Sequence, residues 1–117
     1  MNKSAATIDL ATFEELKATA GFDFVRELID TFLVEAPVML DDLRHALAMN
    51  DADRFRRAAH SLKSNSHTFG ALALGAMARE LELGGLRPVR DAEGAPLEAL
   101  TLEYARVAHS LTELKRA

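Results

Sequence analysis

Residues 22–50 read FDFVRELIDTFLVEAPVMLDDLRHALAMN, and Phe22, Val25, Leu28, Phe32, Ala36, Leu40, Leu43 and Leu47 recur there every three or four positions. That spacing lays one apolar stripe along a helix running from about residue 22 to 49. Pro37 lies inside it, removes a backbone donor and disfavours helical geometry at Ala36, so the stretch is expected to kink near Pro37 rather than split into two collinear helices. A stripe of that length must be covered by other helices, and the rest of the chain offers them.

Upstream, TFEE places Thr12 as an N-cap with Glu15 three residues on, which predicts a short helix over about 12–20 that stops at Gly21. Downstream, Asn50 or Asp51 caps a helix over about 51–69 that ends near Gly70. A further helix is expected over 71–83, stopped by Gly84 and Gly85. The segment GGLRPVRDAEGAP, 84–96, reads as a loop. Pro96 then suits the first turn of a last helix to about 116, along which Leu97, Leu100, Tyr104, Val107, Leu111 and Leu114 form one stripe. No segment alternates with period two. The expected architecture is all-α: residues 1–117 as one domain, an antiparallel up-down-up-down four-helix bundle with a short N-terminal capping helix.

Composition narrows the function classes. Hydrophobic residues at 49% and charged ones at 27% describe a chain that folds without staples. Fourteen Lys and Arg against eighteen Asp and Glu give a net charge of -4, which offers no global attraction to nucleic acid or to an anionic membrane surface. There is no cysteine, so disulfides, thiolate metal sites and thiol nucleophiles are excluded. No apolar run approaches a membrane span and the N-terminus has no apolar core of a signal peptide, which predicts a cytoplasmic protein. A bundle complete in one chain predicts a monomer.

The third helix carries RRAAHSLKSNSHTFGA, 56–71. With about 100° per residue and Leu62 taken as the core direction, Phe55, Ala58, Ala59, Ser66 and Phe69 fall within about 60° of it. His60 falls about 160° away, in the company of Asp53, Arg57, Ser64 and His67, with Arg56 and Lys63 at the flanks. His60 is therefore expected in water. Arg56, Arg57, Lys63 and Ser64 are its neighbours at three and four residues, and such cations favour a neutral ring and attract a phosphoryl group. A neutral, solvated imidazole of this kind is a nucleophile for phosphoryl transfer. The bland alternative is a solvated helix face. His67 stands two turns away, roughly 10 Å, too far to share a metal with His60 simply. No H-E-x-x-H pattern occurs, so no metal site is expected, and His45 and His109 stand alone on polar faces.

The stretch AAHSLKSNSHTFGA resembles the signature of histidine-containing phosphotransfer (HPt) domains: an Ala-His pair, Leu-Lys two residues on, small residues, then Gly-Ala. Ala59, His60, Leu62, Lys63, Ser64, Asn65, Ser66, Gly70 and Ala71 occupy it. The EAP of the long helix, the DA before the His helix and the LE of ARELE (78–82) extend the likeness to nearly the whole chain. The resemblance implies a stoichiometric phosphocarrier rather than an enzyme, in which His60 accepts a phosphoryl group from one receiver-domain aspartyl phosphate and passes it to another. It implies that Lys63 helps hold the phosphoryl group, and that partners are response-regulator receivers and the receiver of a hybrid sensor kinase. Docking is expected on Arg56, Arg57, Ser64, Asn65 and His67 with the adjoining part of the long helix.

Two positions depart from the family pattern, with Ser64 where Gly is usual and Asn65 where Ser is usual. The serine is still small and brings a hydroxyl within a turn of His60. No G-x-x-x-x-G-K-[ST] loop is present, so the chain has no ATP site of its own, no cofactor is expected, and any magnesium would belong to the receiver. The alternative from another class is a helical interaction module that binds a receiver or another signalling protein without being phosphorylated.

Overall fold

A computed structural model of the chain describes residues 7–116. Among the described residues, six helices follow one another over residues 10–116: α1 (Leu10–Ala20), α2 (Phe22–Met49), α3 (Ala52–Phe69), α4 (Leu72–Gly84), α5 (Leu86–Asp91) and α6 (Ala95–Arg116). No strand occurs among the described residues. Helices α2, α3, α4 and α6 form a closed four-membered ring in which α2 packs on α3, α3 on α4, α4 on α6 and α6 on α2. The links between the first three are two residues long, Asn50-Asp51 and Gly70-Ala71, which forces neighbours to run antiparallel. The bundle is therefore up-down-up-down.

α2 sets the length of the molecule. Its 28 residues at 1.5 Å each make about 42 Å, and the longest dimension of the fold is 41 Å. The helix passes through Pro37 without a break. Pro37 is exposed, so water has access to the carbonyl that its ring leaves without a donor. Val25, Ile29, Phe32, Ala36, Leu40, Leu43 and Ala46 are its buried residues, while Phe22, Leu28 and Leu47 are only half-buried. The buried line thus lies slightly to one side of the expected stripe.

Two expectations fail at helix ends. α1 begins at Leu10, and its cap is Asp9 rather than Thr12: the Asp9 carboxylate accepts the Thr12 backbone N–H at 3.3 Å and the Thr12 hydroxyl as well. A carboxylate there combines the cap with favourable charge at the positive end of the helix. The segment 84–96 is not a continuous loop, because Leu86–Asp91 form α5 with Leu86 and Val89 buried. Pro88 is its third residue, within the first turn, where no intrahelical acceptor awaits an N–H. Arg90 donates to the Leu47 carbonyl at 3.0 Å, so α5 closes the end of α2.

α1 closes the opposite end of the bundle against α2 and α3. Gly70, at φ +85°, ends α3 and leaves its carbonyl to accept the Asp9 N–H at 2.8 Å. A Cβ there would stand 2.8 Å from the Asp9 carbonyl oxygen. Glycine is needed both for the left-handed backbone and for the close approach of the N-terminal segment.

Candidate functional site on the α3–α4 seam

Asp51 caps α3 by accepting the Arg54 N–H at 3.1 Å, an interaction of about 1 kcal/mol. From that start the helix buries Phe55, Ala58, Ala59, Leu62, Ser66 and Phe69, the six positions that periodicity assigns to its core side. The opposite side is thereby fixed in solvent, and the His60 side chain is 57% exposed.

α4 returns antiparallel from the Gly70-Ala71 turn, with Leu74, Gly75, Ala78 and Leu81 buried. The residue after Leu81 is carried to the edge of the α3–α4 seam, opposite His60. Glu82 Oε2 lies 2.7 Å from His60 Nδ1, and its Oε1 lies 2.8 Å from Lys63 Nζ. The Lys63 contact has ion-pair distance but lies outside hydrogen-bond alignment. The Glu82 side chain is 16% exposed, Lys63 23%. Lys63 first, and the hydrogen bond from His60 second, hold the Glu82 carboxyl below the ordinary Glu range, against the opposing effect of burial.

This geometry assigns the proton on the ring. An ionised carboxylate only accepts, so Nδ1 must carry the hydrogen of the neutral imidazole. The lone pair then sits on Nε2, the nitrogen not engaged by Glu82. If Nε2 forms a bond to an electrophile the ring becomes cationic, and Glu82 stands where that charge is best stabilised. The site has the parts of a nucleophilic histidine: exposed ring, fixed tautomer and an oriented acid partner.

The remaining cations are placed differently from the expectation that they ring His60. Arg56 pairs with Asp53 at 2.7 Å and Arg57 with the same carboxylate at 3.5 Å. With Lys63 held at Glu82, the charge nearest the imidazole is the carboxylate. A helix wheel displays only its own helix, and the decisive charge comes from α4.

Ser64 is exposed on the same face. Asn65 turns toward α2: its Nδ2 donates to the Ser61 carbonyl at 3.0 Å and lies 4.0 Å from Met39 Sδ. His67 is exposed as a residue, yet its ring lies over Gly75 of α4, where a Cβ would stand 2.4 Å from Cδ2 and Nε2. His67 is part of the helix–helix packing. His45 and His109 are exposed on other helices.

Glu82 is the residue that sequence reading quoted, in ARELE, without giving it a role. A signal was present. Two helices joined at 70–71 and running antiparallel bring together positions whose numbers add to about 142, and 60 then meets 82 as 67 meets 75. Among the described residues no three His, Asp or Glu side chains form a group that could hold a metal ion, and no described helix is long and apolar enough to cross a membrane.

Comparison with known proteins identifies the family and a similar fold. The family model of the Hpt domain matches residues 27–116, and the chain belongs to that family. The crystal structure of histidine-containing phosphotransfer protein B (HptB) from Pseudomonas aeruginosa PAO1 superposes with a TM-score of 0.86 at 29% sequence identity, covering 96% of each chain. No curated protein matches in sequence.

Proposed function

We propose that this Hpt protein is a phosphorelay carrier whose phosphoacceptor is His60. Nε2 attacks the phosphorus of an aspartyl phosphate on a receiver domain; the N–P bond forms, the acyl O–P bond breaks, and the aspartate leaves as carboxylate. The reverse reaction at a second receiver's aspartate empties the carrier. Lys63 stabilises the phosphoryl oxygens, and Glu82 positions the ring and balances the charge it gains. The protein is a stoichiometric intermediate, not a catalyst with turnover of its own, and works as a cytoplasmic monomer.

The observation that carries this reading is the exposed His60 ring held through Nδ1 by a buried-edge carboxylate, within a chain of the Hpt family. Arg56, Arg57, Ser64, Asn65 and His67 belong to the partner-facing surface of α3, with Ser64 one turn and His67 two turns from His60. It continues onto α2 through a groove lined by Met39, Asp42, Arg54, Arg57, Ala58 and Ser61. Receiver domains are the partners, of a hybrid kinase on one side and of a response regulator on the other.

The test is incubation with a phosphorylated receiver, followed by assay for acid-labile, alkali-stable phosphate. Wild-type protein should take the label and His60→Gln should not. Label on His60→Gln would place the phosphoacceptor at another residue, and wild type that binds phosphorylated receivers without ever taking label would mark an interaction module.

A further inference from the structure

His60 has a donor on each flank. With about 100° per residue, Lys63 lies about 60° round the helix to one side of it and Ser64 about 40° to the other. Helical side chains lean toward the N-terminus of their helix, so both reach back over the turn that starts at His60. Lys63 is drawn to the α4 side by Glu82, 2.8 Å away. Ser64 is on the side away from α4.

The hydroxyls of α3 differ in what they already do. Ser66 donates to the Leu62 carbonyl at 2.7 Å, and Thr68 to the Ser64 carbonyl at 3.1 Å. The Ser64 hydroxyl makes no such bond to its own helix, and the residue is exposed. Ser61 is also exposed but lies about 100° from His60, toward α2. The arginines are paired with Asp53. On the flank that Lys63 does not serve, Ser64 is an uncommitted donor one turn C-terminal to His60 and leans back toward it, whereas Arg57 on the same flank leans the other way, toward Asp53.

We propose that the Ser64 hydroxyl donates a hydrogen bond to a phosphoryl oxygen carried by His60 Nε2, and so sets how far transfer equilibrium lies toward the phosphorylated form of this protein. The proposal rests on His60 being the phosphoacceptor. Lys63 and Ser64 then hold the group from opposite flanks, while Glu82 holds the ring from behind.

Equilibrium separates this role from a steric one. The equilibrium constant for transfer between two free proteins depends only on the stabilities of their phosphorylated and unphosphorylated forms, whereas docking alters forward and reverse rates by the same factor. Forward and reverse transfer with one phosphorylated receiver domain are measured for wild type, Ser64→Ala, Ser64→Gly and Ser64→Thr. Because water replaces part of a lost hydrogen bond at an exposed site, Ser64→Ala and Ser64→Gly should lower the forward-to-reverse ratio by about 3- to 10-fold. Ser64→Thr, which keeps the hydroxyl, should stay close to wild type.

A ratio for Ser64→Ala equal to wild type overturns the proposal, whether or not both rates change, and leaves His60 as phosphoacceptor. Wild-type protein that takes no label at His60 overturns the phosphoacceptor reading and this proposal with it.

Discussion

Replacing Gly75 with alanine tests how the α3–α4 seam is packed. The Cβ would stand 2.4 Å from both Cδ2 and Nε2 of His67, whereas carbon contacts are comfortable at about 3.5–4.0 Å. Ring or helix must therefore give by about 1 Å, and because the ring is the far end of an exposed side chain, an off-rotamer shift costing about 0.5–1.5 kcal/mol suffices. Alanine also brings about 1 kcal/mol of helix propensity, since Gly75 lies inside α4 with ordinary helical φ. The net expectation is a change within about 0.5 kcal/mol of zero. In a His67→Ala background the clash is gone and only propensity remains, so the same substitution should stabilise by about 1 kcal/mol. Urea unfolding of the four proteins, followed by far-UV circular dichroism, gives the coupling energy, expected at about 0.5–1.5 kcal/mol. Coupling below about 0.5 kcal/mol would show that the ring does not lie on Gly75 and would return His67 to the solvated face.

Four further outcomes follow from other contacts of α3. Glu82→Gln removes the acceptor charge behind the ring and should slow transfer about 10- to 100-fold, the usual scale for losing a partner that orients a working histidine; an unchanged rate would mean that Nδ1 needs no carboxylate. The same variant should change the acid limb of stability. The Glu82 carboxyl is held below its ordinary value of 4.5 in the fold, so the unfolded chain binds more protons in that range, and stability is present above the ordinary value and lost as pH falls through the lowered one. Glu82→Gln should flatten that limb, which urea titrations between neutral and acidic pH would record. Lys63→Ala should slow transfer with the fold intact, and an unfolded variant would identify a structural lysine. Gly70→Ala, at φ +85° with a Cβ 2.8 Å from the Asp9 carbonyl oxygen, should cost about 1–3 kcal/mol in urea unfolding, and a cost near zero would show that the α1 end is not anchored there.

Features written along one helix were legible in the sequence. The six buried residues of α3 and the exposure of His60 follow from periodicity because the apolar stripe is wide and unambiguous. The bundle follows because the two-residue links leave antiparallel packing as the way to bury four stripes. Local misreadings arose where two rules compete. Thr12 and Asp9 are both capping residues, and the carboxylate took the position. Glycine and proline density in 84–96 suggested a loop, but Leu86 and Val89 at a spacing of three had apolar surface to bury, and Pro88 sits where a helix tolerates it. On α2 the same competition shifted the buried line toward Ile29 and Ala46.

What one helix cannot reveal is the partner across the seam. His60 and His67 are two turns apart on the same face of α3, and each has small and polar neighbours on its own helix. α4 answers them differently, with a carboxylate opposite His60 and a glycine opposite His67. The carboxylate fixes a tautomer and leaves Nε2 open, while the glycine accepts a ring as packing. The difference between the proposed nucleophile and a packing residue therefore resides in residues 82 and 75, and reading it requires the register that the short Gly70-Ala71 turn imposes. The same register explains why the expected crown of cations was misleading. Arg56 and Arg57 find Asp53 within a turn of their own helix, and Lys63 reaches Glu82 of α4, so the three cations about His60 already share two carboxylates. A hydroxyl without a competing partner, such as that of the exposed Ser64, is in such a setting a donor still free to meet the group that His60 is proposed to carry.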